Sequence, residues 1–505
     1  MIDIVNAVLA QASTRPDEVA IVDKDGAVTT FGELHDQVVA VRNGLRARGM
    51  QDGDGVLFAV RTSAAGVALF LGVLAAGGVL ITADTAVGPE LVAARMRAYR
   101  PRWLVAESVL YPASVFGPMR SLCRRRGWSV PDLRQAIADP SIRHVYSGRW
   151  LPGVPWGAVK VGDLSGDKPS TLPDLDAPAL IVFTSGTTER PKGVVHTLRT
   201  LTNAVYLLAG HFPFAEGDVM HTDGIVAGLP ALVSGARLSL AAPERFAQDL
   251  VDRKVTHAYG VPVQLAEVFD VLPKWPEHVR YLLMGSAPAA PAVLRQAMSA
   301  VPDGQVLSIY AMTEAIPIAV GRAEDKLAHT EQGHAGDLLG ELSNGVTARI
   351  AEDGELLVTG PSVCRGYLGE PTLAELPTGD LARLDERGRI IMLGRKKDML
   401  IRGSYNIYPG LYEPSIALLP GVREAAMVGL PDPVTEDETV VLAVVADEGV
   451  DAEALTRRLR RQLPDVIDAE AVPDRIVVLD ELPRSGRSRK LDRPGLRAVL
   501  AGPAT

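Results

Sequence analysis

The chain has 505 residues, 61 acidic against 52 basic, for a net charge of −9; 47% of it is hydrophobic and 22% charged. This composition is that of a globular chain and excludes disorder. The mild acidity and the 5% aromatic content argue against a nucleic-acid binder, which needs a basic face with interleaved stacking rings. Two cysteines, Cys123 and Cys364, cannot build a disulfide framework or a Cys-rich zinc site, and they fit a reducing, cytoplasmic compartment. The start, Met1-Ile2-Asp3-Ile4, lacks the basic residues and apolar run of a secretory signal. At roughly 100–200 residues per domain, the length allows two to four domains.

In chain order, Val19-Ala20-Ile21-Val22 is a predicted strand, Asp25-Gly26 a hairpin turn and Val28-Thr29-Thr30 its partner. From Phe31 to Arg48, Leu34, Val38, Val41 and Leu45 recur at helical spacing. Thr62 to Ala83 carries no charge and approaches the roughly 20 apolar residues of a membrane span. Gly77-Gly78 divides it, however, into a buried helix and the strand Val79-Leu80-Ile81, so the expectation is core, with no membrane span. Leu151 to Leu175 is an irregular connection before the apolar run Ala179-Leu180-Ile181-Val182-Phe183. Alternation of strand and helix to about residue 350 favours an α/β architecture. After Gly394 the texture changes, with strands expected at Ala425–Gly429, Val440–Val445 and Arg475–Leu479 and a helix at Ala454–Leu463. The expected fold is a large N-terminal multi-sheet α/β domain, 1–393, with a small α+β C-terminal domain, 394–505. The arginines of 454–461 fit the solvated face of that helix.

The strongest local signal is Phe183-Thr184-Ser185-Gly186-Thr187-Thr188-Glu189-Arg190-Pro191-Lys192-Gly193. A buried strand runs into hydroxyl- and glycine-rich backbone and then a lysine, a combination that turns N–H groups, hydroxyls and one ammonium toward phosphate oxygens. It is not the P-loop, whose GxxxxGK[ST] spacing is absent. Further along come Tyr310-Ala311-Met312-Thr313-Glu314, Pro377-Thr378-Gly379-Asp380, Gly394-Arg395-Lys396-Lys397-Asp398 and Asn406-Ile407-Tyr408-Pro409. In this order and spacing the chain resembles, over nearly its whole length, the adenylate-forming superfamily of acyl-CoA synthetases, adenylation domains and luciferases.

The resemblance implies ATP-dependent activation of a carboxylic acid as acyl-AMP, then transfer of the acyl group to a thiol of CoA or of a carrier protein's phosphopantetheine. Both reactants are anionic, so positioning and charge neutralisation supply most of the catalysis. By resemblance, Thr184, Ser185, Gly186, Thr187, Thr188 and Lys192 hold the β- and γ-phosphates. Glu314 ligates Mg²⁺, Thr313 contacts the α-phosphate, and Asp380 accepts the ribose hydroxyls. Tyr310 and Gly285-Ser286-Ala287 flank adenine, and Arg395 reaches the ribose or phosphates. Lys490 is the candidate catalytic lysine, and Lys397 the hinge about which a mobile C-terminal domain turns.

Departures from the family pattern locate what is specific here. Glu189 stands where the family has Gly, beside the expected triphosphate. Ala311 and Ser404 also replace usual glycines, Leu411 a usual Glu, and Arg489 the Gly that ordinarily precedes the lysine at 490. The acid pocket is expected at His221, Thr222, Asp223 and Gly228, with Gly224 and Gly228 leaving room for a chain. Asp223 is either a turn residue or a partner for a substrate amine. The expected substrate is a fatty or other non-amino carboxylic acid. The alternatives are a stand-alone enzyme loading an amino or β-amino acid onto a carrier in trans, and a nucleotide-binding relative impaired in catalysis.

Overall fold

The computed structural model describes residues 2–82, 96–125, 130–131, 133–166, 174–183, 192–402, 405–431, 438–485 and 489–501. The chain forms two compact units. The first comprises Met1–Arg245, Thr313–Ile316 and Pro361–Ala374, and the second Phe246–Met312, Pro317–Gly360 and Glu375–Thr505. The architecture is mixed α/β, as expected. The boundary expected at 393/394 lies inside the second unit.

The first unit holds an eight-stranded sheet. Parallel strands Gly55–Ala59, Val79–Thr82, Trp103–Glu107, Arg143–Ser147 and Val159–Lys160 continue through Pro178–Phe183, which pairs antiparallel with Gly193–Thr197. Gly193–Thr197 in turn pairs antiparallel with the short strand Gly366–Tyr367. The sheet core is aliphatic around Leu57, Ile81, Leu104, Ile181 and Val195. The uncharged segment is core, as its glycines indicated. The helix Ala64–Ala75, capped by Ser63, is buried from Gly66 to Ala75 and leads into Val79–Thr82. At about 1.5 Å per residue its 12 residues reach about 18 Å, short of a bilayer core. No described helix is long and apolar enough to cross a membrane. Gly77 turns the chain at φ +72°, where a Cβ would stand 2.1 Å from Asp52 Oδ1. A four-strand set in the same unit places Val219–Thr222 beside Arg237–Leu240 in parallel, then Val19–Val22 and Val28–Thr30.

In the second unit, nine strands run in the order Thr347–Ile350, Glu355–Thr359, Leu376–Leu384, Ile390–Arg395, Asp337–Leu342, Ala315–Arg322, Gln305–Met312, Tyr281–Met284 and His257–Gly260. The last helix of the strand–helix alternation is Ala323–Glu331, close to the limit expected near residue 350. From Gln305 onward the strands are joined mostly by short turns and pair antiparallel from Ala315 to Arg395. The strands expected beyond Gly394 form a three-stranded sheet, Val422–Pro431, Glu438–Ala446 and Arg475–Leu479. Alternate residues serve two cores, as a period of two requires. Met427, Val440, Leu442 and Val444 pack with Leu455 and Leu459 of the helix Ala452–Gln462, while Val428, Val441, Ala443 and Val445 pack with Leu496 and Leu500.

Candidate active site

In the second unit, register brings three predicted residues together. Asp380 on the strand Leu376–Leu384 lies opposite Arg395 on Ile390–Arg395. Arg395 Nε lies 2.9 Å from Asp380 Oδ1, and the Tyr310 hydroxyl donates to Oδ2 at 2.6 Å. Thr378 Oγ1 accepts from the Asp380 backbone N–H and donates to the Leu356 carbonyl, which fixes the strand locally. Asp380 is 3% exposed. Burial, reinforced by the Asp380 charge, holds the Tyr310 pKa well above the ordinary tyrosine value, so Tyr310 remains a neutral donor. Beside the segment Gly285-Ser286-Ala287, Tyr259 Oη lies 2.9 Å from Ser286 Oγ. Ser286 takes φ +68°, a left-handed backbone that costs a non-glycine residue about 1 kcal/mol.

The expected hinge, Lys397, sits in the short turn Lys396–Asp398. Lys396 binds Asp353 at 2.6 Å and Glu355 at 2.5 Å, and Asp398 lies 3.3 Å from Arg493. Arg493 also grips Glu413 at 2.8 Å and the Met427 carbonyl at 2.7 Å. Its burial disfavours the charge, but Glu413 and Asp398 outweigh that and raise its pKa. Lys490 is exposed on a two-residue strand paired with Arg484–Ser485. Arg489 keeps a left-handed backbone, φ +46°, and lies 2.5 Å from Glu267. The local geometry is one that glycine adopts freely, which accounts for the glycine of the family pattern.

In the first unit, Glu314 follows Thr313 in the turn between Gln305–Met312 and Ala315–Arg322 and is 8% exposed. Its Oε1 accepts from the Tyr367 hydroxyl at 3.1 Å. Lys192 Nζ lies 5.2 Å from the centroid of the same Tyr367 ring. His196 Nε2 is 2.7 Å from the Thr313 carbonyl, which can only accept, so Nε2 carries the proton. Nδ1 then accepts from Thr200 Oγ1 at 3.2 Å. Burial keeps the His196 pKa below its ordinary value, against the opposing effect of that carbonyl. Cys364 donates its N–H to the Glu314 carbonyl at 2.7 Å. Burial, then the Glu314 charge, pushes the Cys364 thiol up to about 11, leaving it unreactive. Thr184, Ser185, Gly186, Thr187, Thr188 and Glu189 lie outside the described residues, as does Ser404.

The expected acid pocket divides. His221 and Thr222 are fully buried on Val219–Thr222, with His221 Nδ1 2.9 Å from Ser239 Oγ on the neighbouring strand. Asp223 is partly exposed. At Gly228 the room expected for an acyl chain is filled. A Cβ there would stand 2.6 Å from Leu238 Cδ1, so this glycine lets the helix Ile225–Val233 close onto its sheet. Gly224 does retain ordinary space, 3.5 Å from the Ala227 Cβ.

Sequence reasoning missed Tyr367, His196 and Tyr259. Their roles depend on pairing across the sheet, and the one local signal was the glycine pair flanking Tyr367 and Leu368.

The family model for an AMP-binding enzyme matches residues 8–368, and that for the AMP-binding enzyme C-terminal domain matches 412–490. A feruloyl-CoA synthase from Amycolatopsis sp is 29% identical, the match covering 92% of this chain and 93% of the relative. A medium-chain fatty-acid–CoA ligase of Escherichia coli (strain K12) is 25% identical, covering 95% and 88%. The solved structure of the amide bond synthetase McbA from Marinactinospora thermotolerans has the same fold, with a TM-score of 0.80, 24% identity, and coverage of 98% and 99%.

Proposed function

We propose, from the premise that the chain belongs to the AMP-binding enzyme family, that Asp380, Arg395 and Tyr310 serve the nucleoside of ATP, and Lys192 and Glu314 its phosphates. The chain is an acid–thiol ligase, dependent on ATP and Mg²⁺. A substrate carboxylate oxygen attacks the α-phosphorus, the bond to pyrophosphate breaks, and the acyl group then passes from AMP to a thiol of CoA or phosphopantetheine. The acid is a fatty, aryl or other non-amino acid, the class to which the names of both curated relatives point.

The observation that carries the assignment is the arrangement around Asp380. A carboxylate offers about four lone-pair sites; Tyr310 and Arg395 occupy one on each oxygen, which leaves acceptors for a ribose diol. Arg395 supplies positive charge at the same place. The resident cation fits a hard-oxygen site built on one carboxylate: Glu314 is 8% exposed, with one oxygen held by a phenol. Bound there, Mg²⁺ supplies the charge that neutralises phosphate oxygens. Lys192 adds an ammonium at the end of the phosphate loop. Lys490 brings a second ammonium to the reacting oxygens, carried by residues 394–505 turning about Lys397. The ion pairs on Lys396 and Asp398 support that pivot, since they anchor its two neighbours to different elements.

An amino acid is the second choice, favoured by the partial exposure of Asp223. A carrier protein's phosphopantetheine is the alternative acceptor to CoA. The buried free thiols Cys123 and Cys364 support a cytoplasmic location. Pyrophosphate release with panels of fatty, aryl and amino acids tests the assignment. Release with fatty or aryl acids, followed by CoA acylation, is expected. Release confined to amino acids and abolished in Asp223→Ala would replace the substrate class. No release with any acid overturns the ligase assignment in favour of an impaired nucleotide-binding relative.

A further inference from the structure

Two charges of opposite sign meet on one side chain in the first unit. The Tyr367 hydroxyl donates to Glu314 Oε1 at 3.1 Å, and Lys192 Nζ stands over the Tyr367 ring 5.2 Å from its centroid. Among the described residues, Tyr367 is the one side chain recorded as donating to Glu314. The position of Tyr367 is itself fixed by backbone. It pairs with Val194 on the strand that begins one residue after Lys192, and the Leu368 N–H donates to the Gly193 carbonyl at 2.8 Å. The Glu314 main chain is tied to the same segment, because its carbonyl accepts from the Cys364 N–H at 2.7 Å. A carboxylate oxygen can only accept, so the Tyr367 hydroxyl is the donor of its bond to Glu314.

We propose that Tyr367 is a positioning residue that sets the cation-binding carboxylate Glu314 and the phosphate-binding ammonium Lys192 at a fixed separation, using its hydroxyl for one and its ring face for the other. A direct ion pair between Lys192 and Glu314 would cancel the charges that the metal and the phosphates need. Seating the ammonium on the aromatic face keeps it attracted to the ring quadrupole without consuming a carboxylate oxygen. Anchoring Oε1 with a neutral donor leaves the carboxylate its charge and orients Oε2 for a divalent cation. The ring and the hydroxyl therefore make separable contributions.

The inference rests on Glu314 being the cation ligand, and the experiment separates the two claims. Mn²⁺ binding, followed by electron paramagnetic resonance in the presence of a non-hydrolysable ATP analogue, reads the metal. Fluorescence titration with metal-free analogue in EDTA reads the ammonium. Glu314→Gln is expected to abolish saturable Mn²⁺ binding; retention of it overturns the ligand assignment and the inference with it. Tyr367→Phe keeps the ring and loses the hydroxyl. It should weaken Mn²⁺ binding about tenfold, the order expected for a hydrogen bond to a charged group, and leave metal-free affinity within about twofold. Tyr367→Leu should weaken both. If Glu314→Gln loses the metal while Tyr367→Phe binds Mn²⁺ like the parent, or loses metal and metal-free nucleotide to the same extent, Tyr367 has no positioning role. Circular dichroism on each variant guards against misfolding.

Discussion

The residues proposed for the nucleoside and those proposed for the phosphates are held by different means. In the second unit, Asp380 sits inside a sheet, opposite Arg395 by strand register, with a donor on each oxygen. In the first unit, Glu314 sits in a turn and is held by a single hydroxyl, and Lys192 is exposed at the end of the phosphate loop. The sheet supplies preorganisation without the ligand. In the proposed function, the charges on Glu314 and Lys192 take the cation and the phosphates as partners. Stability and function should therefore be coupled at Asp380 and separable at Glu314.

The largest effect expected is that of Asp380→Ala, which removes the proposed diol acceptor and the carboxylate to which the partly buried Tyr310 hydroxyl donates. It should lower kcat/KM for ATP by about 10³-fold and destabilise the protein by about 2 kcal/mol, whereas Glu314→Gln should lose Mg²⁺-dependent pyrophosphate release with its urea midpoint unchanged. Equal destabilisation by the two would break the comparison. Lys490→Ala comes next. Adenylation should fall about 10²- to 10³-fold, while thiolation of synthetic acyl-adenylate persists; a variant that adenylates at full rate removes Lys490 from the mechanism. Tyr310→Phe should raise the KM for ATP about tenfold. Its stability effect has a definite pH sense. Because the folded pKa of Tyr310 is raised, its contribution is fully present below the ordinary tyrosine pKa of about 10 and is lost as pH rises beyond that toward the folded value. The stability gap between parent and Tyr310→Phe should thus hold constant from pH 7 to 9 and narrow above 10, as urea titrations at each pH would show. The smallest effect belongs to Arg489→Gly. Losing an exposed ion pair with Glu267, worth about 0–1 kcal/mol, offsets relief of a left-handed backbone of similar cost. The net change in stability should be under about 1 kcal/mol, and addition of salt to the parent should mimic only the ion-pair part.

Much of the fold was legible beforehand. The strands at Val19–Val22 and Pro178–Phe183, the helix Phe31–Ala47 and the C-terminal sheet all follow local periodicity. The helix Phe31–Ala47 even announces its own start, since Thr30 and Glu33 form a reciprocal capping box. Asp380, Arg395 and Tyr310 were nameable from motifs, but their mutual contact was not. It spans 70 residues between Tyr310 and Asp380 and depends on a strand register with a bulge between Leu381 and Ala382. Gly228 shows the opposite failure: the sequence offers a missing side chain, and only packing reveals that Leu238 fills the space.

The hydroxyl-rich loop and the ordered motifs pointed to the reaction class through the family they resemble, because each motif is a short run that can be read without knowing the fold. The tertiary structure decided which of those groups are held and by what. Tyr367 reaches Glu314 across 53 residues, and His196 reaches Thr313 across 117. Such contacts arise from strand pairing and burial, which depend on the whole sheet closing, and no local pattern of residues encodes them.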